Sequence, residues 1–271
     1  RTNDEAAPRG RNQRMSEIIW ADLARDVVIV QGDDAATFLH SQLANDISSM
    51  LVGESRHSLL LEPTGHISSL VRVVRHADTV FTLDVEAGGG ETVVTRLKKF
   101  ILRAKVTLKV SDWVVRAFRG DNAAALVGSG AGRAVPYWGS PDEIDVVAER
   151  SQLPEIGKSA EPSEIDVTRV DAHWPRLGAD VLVGDIPATV GLLPTVVSFT
   201  KGCYPGQELV ERMDSRGSLA PVVVRKIPNH EYAVGDTLFE GDENVGLVTS
   251  VGTQWALARV SRNSALGEPL S

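Results

Sequence analysis

The stretch HSLLLEPTGHISSLVRVVRHADTVFTLDV, residues 57–85, decides the fold class of this chain. Short apolar runs alternate in it with two turn sequences, PTG and HAD. Apolar runs of this length, separated by tight turns, are typical of neighbouring antiparallel strands. The stretch therefore predicts a meander with strands at 59–61, 67–74 and 80–85.

Helical patterns stand on both sides of the meander. Upstream, a strand at 27–30 leads into a Gly-Asp-Asp turn, after which apolar residues recur at helical spacing, namely Ala36, Leu39, Leu43 and Ile47. Downstream, residues 93–101 place their apolar side chains on one helical stripe with lysines outside it, and 106–110 returns to a strand pattern. These segments predict an α+β unit.

The order of strand and capped helix recurs after the meander. WVVRAFRG is followed by DNAAALVG at 113–128, and EIDVTRVDAHW then predicts a helix that must stop before Pro175. Beyond Ser215 the sequence changes to short strand patterns separated by glycine and asparagine. This final segment predicts a small β-barrel or sandwich.

The composition narrows the class of protein. With 271 residues, 42% of them hydrophobic, the chain is long enough for more than one core. No apolar run approaches the roughly 20 residues that a spanning helix needs, so we expect no membrane contact. A net charge of -8 disfavours direct, broad binding to nucleic acid. A single cysteine excludes an intrachain disulfide and favours a cytoplasmic location.

That cysteine lies in FTKGCYPGQELVERM, residues 199–213. Pro205 and Gly206 suit the two central positions of a type II turn, and a helix can start at Gln207 and end at Gly217. A thiol near a helix N-terminus and near Lys201 lies in a field that favours the thiolate, and glycines at 202 and 206 allow a ligand to approach the backbone. On spacing alone, the slightly favoured interpretation of Cys203 is a small buried hydrophobic residue, with glycines that merely make turns.

Other roles for the thiol find little support in the sequence. A zinc site needs four ligands, and the six histidines show no metal-binding spacing with this cysteine, so we expect no metal. A Cys-His hydrolase would need a partner such as His173, and the sequence leaves open whether the two meet. The glycine run AGGGE lacks the spacing of a phosphate-binding loop and is interpreted as an ordinary loop.

The octapeptide KGCYPGQE, residues 201–208, closely resembles the K-G-C-Y-x-G-Q-E signature of YgfZ-type folate-binding proteins. These proteins are related to the GcvT-like aminomethyltransferase (T-protein) of the glycine cleavage system. FLHSQLANDI, LLLEPTGHI, RVDAHWPRLGAD and VGDTLF resemble further family segments, so the resemblance covers nearly the whole chain after Met15.

The resemblance implies a three-domain α+β cloverleaf around a central channel, with a split first domain. On this plan residues 1–14 form a flexible tail, 15–54 and 113–213 form the split folate-binding domain, 55–112 form an antiparallel α+β domain, and 214–271 form the C-terminal β-barrel.

The resemblance also implies a function. Family members bind tetrahydrofolate or a one-carbon derivative and assist iron–sulfur cluster assembly or repair, and thereby tRNA modification, with iron–sulfur proteins or their assembly machinery as partners. Cys203 and Lys201 then hold the catalytic positions. The supporting motif residues are Gly202, Tyr204, Gly206, Gln207 and Glu208. The alternatives are a tetrahydrofolate-dependent aminomethyltransferase, and a folate-binding or interaction module whose thiol is structural.

Two departures from the family pattern bear on these alternatives. Aminomethyltransferases carry an aspartate pair where this chain has Ser68 and Ser69, and a hydroxyl cannot supply the negative charge of a carboxylate. We therefore expect classical aminomethyl transfer to be lost. Thr189 stands where the family commonly has glutamate.

The expected folate contacts are four residues. Asp171 occupies the position of the pterin-facing glutamate, since a carboxylate can accept both the amino group and the ring N–H of a pterin; a helical Asp171 paired with Arg169 or Arg176 is the alternative. Trp174 can stack on a folate ring or belong to the core. Arg72 and Arg103 are the two candidates for binding the glutamyl carboxylates at the channel mouth.

Overall fold

The computed structural model describes residues 16–130, 132–136, 138–216 and 220–270, and within them the chain is a mixed α+β protein. The predicted tail at 1–14 and the predicted helix end at Gly217 lie outside these residues. None of the helices in the described part is long and apolar enough to span a membrane.

The described strands, in chain order, are β1 (Ile19–Leu23), β2 (Arg25–Gln31), β3 (Ser55–Leu61), β4 (Ile67–Ala77), β5 (Val80–Glu86), β6 (Thr107–Ser111), β7 (Val114–Arg119), β8 (Arg133–Ala134), β9 (Ile144–Ala148), β10 (Lys158–Ser159), β11 (Val222–Pro228), β12 (Thr237–Glu240), β13 (Glu243–Val251), β14 (Trp255–Ser261) and β15 (Glu268–Pro269). The described α-helices are α1 (Ala35–Gln42), α2 (Gly90–Lys98), α3 (Ala123–Val127), α4 (Pro162–Asp171), α5 (Leu193–Val196) and α6 (Gln207–Arg216). Short 3₁₀ turns occupy Arg150–Gln152 and Pro187–Val190.

These strands form three sheets of five strands each. Sheet 1 has the order β10-β1-β7-β9-β8, sheet 2 the order β3-β4-β5-β2-β6, and sheet 3 the order β12-β13-β14-β11-β15. The predicted meander is confirmed, because β3 pairs with β4 and β4 with β5, both antiparallel. The predicted α+β class is confirmed as well.

Sheet 2 buries one face against α1 and α2. Phe38 and Leu39 of α1 and Val93, Val94 and Leu97 of α2 share a core with the apolar residues of its strands. The predicted apolar stripe of α2 therefore faces the sheet. This burial of helix stripes on one sheet face is what holds the unit together.

The chain changes sheets between β1 and β2. β1 pairs with β7 in sheet 1, whereas β2, after a single intervening residue, lies between β5 and β6 in sheet 2. β2, from the predicted segment 15–54, thus pairs with strands from 55–112. The predicted domain boundaries themselves stay a prediction.

Sheet 3 contains the predicted C-terminal strands. Its neighbouring strands are all antiparallel, and its apolar side chains form a core of their own, including Ile227, Leu238 and Val248. The structure shows a five-stranded sheet, and its closure into a barrel stays a prediction.

Helix α4 has well-defined ends. A capping box joins Glu161 and Glu164 at its start, next to Pro162. At its end His173 adopts the left-handed conformation with φ of 64°, and the Trp174 N–H donates to the Arg169 carbonyl at 3.0 Å. The helix thus stops before Pro175, as predicted, and the chain reversal sends Trp174 into the interior.

Candidate functional site

The loop that carries the KGCYPGQE signature, residues 201–208, contains the predicted type II turn. The Gln207 N–H donates to the Tyr204 carbonyl at 3.3 Å, and Gly206 has φ of 86°, which suits the third position of such a turn. Helix α6 begins directly after it at Gln207. The turn thus reverses the chain between Cys203 and α6.

Two glycines lock this loop onto the turn between β3 and β4. A Cβ added to Gly206 would lie 2.7 Å from the Glu62 carbonyl oxygen and 2.8 Å from the Gly65 Cα. A Cβ added to Gly65, where φ is 90°, would lie 2.4 Å from Leu209 Cβ. Gly206 therefore serves close backbone packing rather than ligand access, whereas Gly202 faces open space.

Cys203 is exposed at the tip of this loop. The interpretation of the thiol as a small buried hydrophobic residue is therefore wrong. Its neighbour Tyr204 is buried in the same core as Trp174, and burial, helped by Glu211, raises the pKa of the Tyr204 hydroxyl to about 12. Tyr204 thus anchors the loop as a neutral side chain while Cys203 faces solvent.

Lys201 anchors the other side of the loop. Its ammonium donates to the backbone carbonyls of His40, of Leu43 at 2.6 Å and of Asn45 at 3.0 Å, at the C-terminal end of α1. A cation at a helix C-terminus interacts favourably with the helix dipole. Burial lowers the pKa of Lys201 to about 8, with Asp46 opposing the shift. These contacts position the loop; a catalytic role for Lys201 stays a prediction.

The two remaining motif side chains lie on α6. Gln207 donates from Nε2 to the Glu211 carboxylate at 2.5 Å, and its Oε1 accepts from the Tyr204 N–H at 3.4 Å. Glu208 is exposed, and its carbonyl accepts a hydrogen bond from Arg212 at 3.2 Å. The Gln207 side chain thus bridges the turn at Tyr204 and the Glu211 carboxylate on α6, and Glu208 is available at the surface.

A cavity of about 150 Å³ lies between sheets 1 and 2, beside α4. Its walls combine aromatic, apolar and charged side chains. They are Leu23, Ala24, Arg25, Leu70, Glu86, Arg119, Trp138, Asp145, Pro162, Ile165, Asp166, Arg169, Trp174, Pro175 and Arg176. Of the predicted site residues, only Trp174 is among them, so the cavity and the cysteine loop are separate features.

A buried chain of ion pairs joins the two sheets behind this cavity. Arg72 on β4 is fully buried and donates to Asp84 on β5 at 2.7 Å and to Asp145 on β9 at 2.5 Å. Arg25 pairs with Asp84 at 2.6 Å, and Arg119 pairs with Asp145 at 2.7 Å. Asp84 and Asp145 thus each have two arginine partners, and this pairing offsets the cost of burying their charges.

Burial and these ion pairs shift the pKa values of nearby groups. Burial alone would raise the pKa of Asp145, but Arg119 and Arg72 outweigh it and lower that pKa. Burial lowers the pKa of His57 well below its usual value, and the nearby Arg72 adds to the shift. His57 is therefore neutral at pH 7, and its ring packs against Trp174 with centroids 5.1 Å apart.

The cavity is tied to sheet 3 through Asp180. This fully buried carboxylate accepts from Thr249 at 2.6 Å, from Ser250 at 2.7 Å and from Arg169 at 3.0 Å. Arg169 also donates to Asp166 at 2.7 Å. One wall of the cavity is thereby held by residues from α4, the loop that follows it and β13.

The structure places the other expected folate contacts elsewhere. Asp171 accepts the backbone N–H groups of Thr253, Gln254 and Trp255 at 2.9–3.1 Å and so closes the turn between β13 and β14. These bonds disfavour a contact between Asp171 and a pterin, and that contact stays a prediction. The alternative was an ion pair of Asp171 with Arg169 or Arg176, but both arginines pair with Asp166.

The two candidate arginines do not line the cavity in the structure. Arg72 is fully buried among its carboxylates, not at a channel mouth, and Arg103 is exposed in the segment between α2 and β6. Thr189 is buried in a 3₁₀ turn, and His173 packs edge-on against Trp255 with ring centroids 5.0 Å apart.

Ser68 and Ser69 are buried at the start of β4. Leu60 of β3 pairs with Ser69 and Leu61 pairs with Ile67, so Ser68 is the extra residue of a β-bulge at the start of β4. Both positions thus carry a buried hydroxyl in place of the expected carboxylates.

Sequence reasoning missed the charged wall of the cavity. Asp145 lies within the apolar run of β9, Arg119 ends β7, and Asp84, the carboxylate of the same network on β5, lies within another apolar run; these charged residues in strand patterns were the available signal. In the described part of the chain, no cluster of three or more His, Cys, Asp or Glu side chains is arranged to hold a metal ion.

Comparison with known proteins places this geometry in context. No family model matches the chain. An uncharacterized protein of Haemophilus influenzae is 26% identical over 198 residues, which cover 71% of the chain and 67% of that protein. The tRNA-modifying protein YgfZ of Aliivibrio fischeri is 25% identical over 207 residues, covering 70% of the chain and 65% of that protein. An aminomethyltransferase of Listeria monocytogenes is 22% identical over 264 residues, covering 84% and 72%.

A solved structure has a similar fold. The crystal structure of glycine cleavage system aminomethyltransferase T from Bartonella henselae matches with a TM-score of 0.73 at 19% identity, over 91% of this chain and 79% of that one. The chain is a relative of the YgfZ and aminomethyltransferase proteins. It spans about two thirds of the length of the first two curated relatives. The relationship to YgfZ is consistent with the KGCYPGQE loop, and the three-sheet α+β fold is similar to that of the aminomethyltransferase.

Proposed function

We propose that this protein binds tetrahydrofolate, or a one-carbon derivative of it, and uses Cys203 in assembling or repairing iron–sulfur clusters of other proteins, and thereby serves tRNA modification. The observation that carries the proposal is the signature cysteine, exposed on a loop that is anchored on both sides. The curated relatives named tRNA-modifying protein YgfZ support the same direction.

The exposed thiol suits an encounter with another protein. The thiolate is the form of cysteine that binds iron and attacks disulfides, and iron–sulfur clusters are held by such thiolates. Cys203 is exposed and does not line the cavity, which supports a reaction with another protein over a reaction with a ligand in the cavity. Iron–sulfur proteins or their assembly machinery are the proposed partners, with the cluster as cargo, rather than nucleic acid itself.

The cavity fits one ring of a folate. A cavity of about 150 Å³ holds a benzene-sized group, whereas whole drug-sized ligands use about 300–1,000 Å³. Trp174 and Trp138 offer aromatic surface for stacking, and the carboxylates of Asp145, Asp166 and Glu86 can accept N–H groups of a pterin. A bound tetrahydrofolate would supply a carrier for one-carbon units.

Aminomethyl transfer is the second candidate, because an aminomethyltransferase and a solved aminomethyltransferase structure both match the chain. Ser68 and Ser69 replace the carboxylates that this chemistry uses. The carboxylates of Asp145 and Asp166 are paired with arginines. We therefore favour the accessory role, with the cytoplasm as its location and the cloverleaf with its C-terminal barrel as its architecture.

Complementation tests the proposal. In cells that lack the native copy, the wild-type chain and Thr200→Ala, a matched change three residues from the thiol, should restore both an iron–sulfur enzyme activity and a tRNA modification made by an iron–sulfur enzyme. Cys203→Ser should restore neither. Full restoration by Cys203→Ser would refute the role of the thiol and favour a folate-binding or interaction module instead.

A further inference from the structure

The segment RLKKFILRAK, residues 96–105, runs from the last turn of α2 to the residues just before β6. It carries five basic residues and no acidic one, in a chain whose net charge is -8. We call its exposed residues between positions 98 and 103 the basic corner: Lys98, Lys99, Phe100, Leu102 and Arg103. The basic corner is thus a local positive surface on an acidic protein, and such a surface attracts acidic partners.

Two apolar side chains stand exposed among these cations. Leu102 is 88% exposed, the highest value among the large apolar side chains of the described residues, and Phe100 is 37% exposed. Their neighbours Ile101, Ala104 and Val106 pack against the core of sheet 2 instead. The basic corner therefore has an apolar centre and a charged rim, which is the arrangement found in protein–protein interfaces.

The cations of the basic corner have no carboxylate partners in the described part of the chain. Lys98, Lys99 and Arg103 form no ion pair there. Lys105, which follows the corner, differs from them, because its ammonium lies 3.6 Å from the Asp33 carboxylate. Positive charges that lie close together repel one another, so the carboxylates of a binding partner would relieve this repulsion.

The basic corner is held in place at both ends. At its start, the Phe100 N–H donates to the Leu97 carbonyl at 3.0 Å, and the Arg96 guanidinium lies over the Phe100 ring, 4.5 Å from its centroid. Beyond its end, the Lys105 N–H donates to the Asp34 carboxylate at 2.7 Å. A partner that binds the corner therefore loses little free energy to ordering this segment.

Buried Arg96 also connects the basic corner to the turn on which the cysteine loop packs. Its Nη2 donates to the Leu61 carbonyl at 2.8 Å, and its Nε lies 3.4 Å from the Glu62 carboxylate. A Cβ added to Gly206 would lie 2.7 Å from the Glu62 carbonyl oxygen and 3.0 Å from Leu61 Cβ. The end of β3 and the turn after it thus support both the basic corner and the loop of Cys203.

We infer that the basic corner is a docking surface for the protein that meets Cys203, and that this partner presents carboxylates around an apolar surface. The inference rests on the proposed role of Cys203. Phe100 and Leu102 form the centre of the contact, and the three cations form its rim. A nucleic acid would match only the charges, because Leu102 offers no stacking surface and Arg96 already covers one face of the Phe100 ring.

Complementation with charge reversal tests the inference. In cells that lack the native copy, Lys99→Glu/Arg103→Glu should restore about tenfold less iron–sulfur enzyme activity than the wild type, because like charges then face the partner. Lys158→Glu/Arg262→Glu is the control, since it reverses two exposed cations elsewhere and changes the net charge by the same amount. It should restore activity as the wild type does.

The purified proteins show whether a loss of activity is a loss of docking. Urea unfolding of Lys99→Glu/Arg103→Glu, and the rate at which iodoacetamide labels Cys203 in it, should match those of the wild type. If the glutamate variant unfolds more readily, Lys99→Gln/Arg103→Gln takes its place, with a smaller loss of activity expected because the charges are removed and not reversed.

Photo-crosslinking identifies the chemistry of the partner. p-Benzoylphenylalanine in place of Leu102 should give, in the same cells, a protein adduct whose cross-linked segment is rich in Asp and Glu by mass spectrometry. Lys99→Glu/Arg103→Glu should reduce the yield of this adduct about tenfold. The same amino acid in place of Leu126, a 61% exposed leucine on α3, is the control and should not give that adduct.

The outcomes separate the docking surface from the function on which it rests. If Cys203→Ser fails to complement and Lys99→Glu/Arg103→Glu restores activity as its control does, the docking surface is refuted and the role of the thiol stands. An adduct that ribonuclease removes, an adduct with a segment that is not acidic, or no adduct at position 102 also overturns the inference. If Cys203→Ser restores full activity, the proposed function fails and the inference falls with it.

Discussion

Removing Arg72 should destabilise the whole protein, because this side chain joins sheets 1 and 2. Arg72→Met deletes hydrogen bonds to Asp84 at 2.7 Å, to Asp145 at 2.5 Å and to the Val135 carbonyl at 2.9 Å, all from a fully buried position. Breaking a buried ion pair on one side costs about 3–5 kcal/mol, since a charge is left uncompensated.

The expected loss lies at the lower end of that range. Asp84 keeps Arg25 at 2.6 Å, and Asp145 keeps Arg119 at 2.7 Å, so neither carboxylate becomes isolated. We therefore expect a loss of about 3 kcal/mol in the free energy of unfolding. In a chain of this size that corresponds to a fall in Tm of roughly 6–12 °C.

Urea and thermal unfolding, followed by circular dichroism and tryptophan fluorescence, measure this loss. Arg103→Met is the matched control, because Arg103 is exposed, and it should change stability by less than about 0.5 kcal/mol. The difference between wild type and Arg72→Met should narrow in acid. The pKa of Asp145 is lowered in the folded protein, so the stability that it contributes is present above the unfolded pKa and is lost as the pH falls through the folded pKa. A loss below about 1 kcal/mol, or a loss equal to that of Arg103→Met, would refute the reasoning.

Two further changes test the cysteine loop and the end of α1. Gly206→Ala forces a Cβ to within 2.7 Å of a backbone oxygen at a φ of 86°. We therefore expect the free energy of unfolding, measured by urea denaturation, to fall by about 2 kcal/mol. Gly202→Ala, in open space, is the control, and an equal fall for both variants would contradict the packing role of Gly206. Burial would raise the pKa of Asp46, but hydrogen bonds from Ser48 and Ser49 outweigh it and lower that pKa to about 2. The stability that Asp46 contributes is therefore present above its unfolded pKa of 3.8 and is lost as the pH falls towards 2. The difference in urea midpoint between wild type and Asp46→Asn should thus shrink between pH 4 and pH 2, and a constant difference would count against this assignment.

Local patterns predicted the elements well, because their causes lie within a few residues. The meander follows from apolar runs and two turn sequences, and Pro175 predicts that α4 stops upstream of it. The type II turn at Pro205 and Gly206 is local in the same sense. The resemblance of residues 201–208 to a family signature also needs no tertiary information.

Long-range contacts decided what the site residues do. Lys201 binds carbonyls about 160 positions earlier in the chain, and Asp171 binds amides more than 80 positions later. Arg72 meets Asp145 across two sheets, although an arginine in a sequence is normally expected at the surface. Nothing in the local pattern of these residues specifies such partners.

By itself, therefore, the sequence determined the α+β class, the meander, the turn beside Cys203 and the relationship that the signature suggests. Only the tertiary structure showed that the thiol is exposed, that Lys201 and Gly206 hold its loop, and that the cavity wall is built from paired charges. The physical reason is that turn and strand preferences act over a few residues, whereas burial and ion pairing depend on segments that only folding brings together.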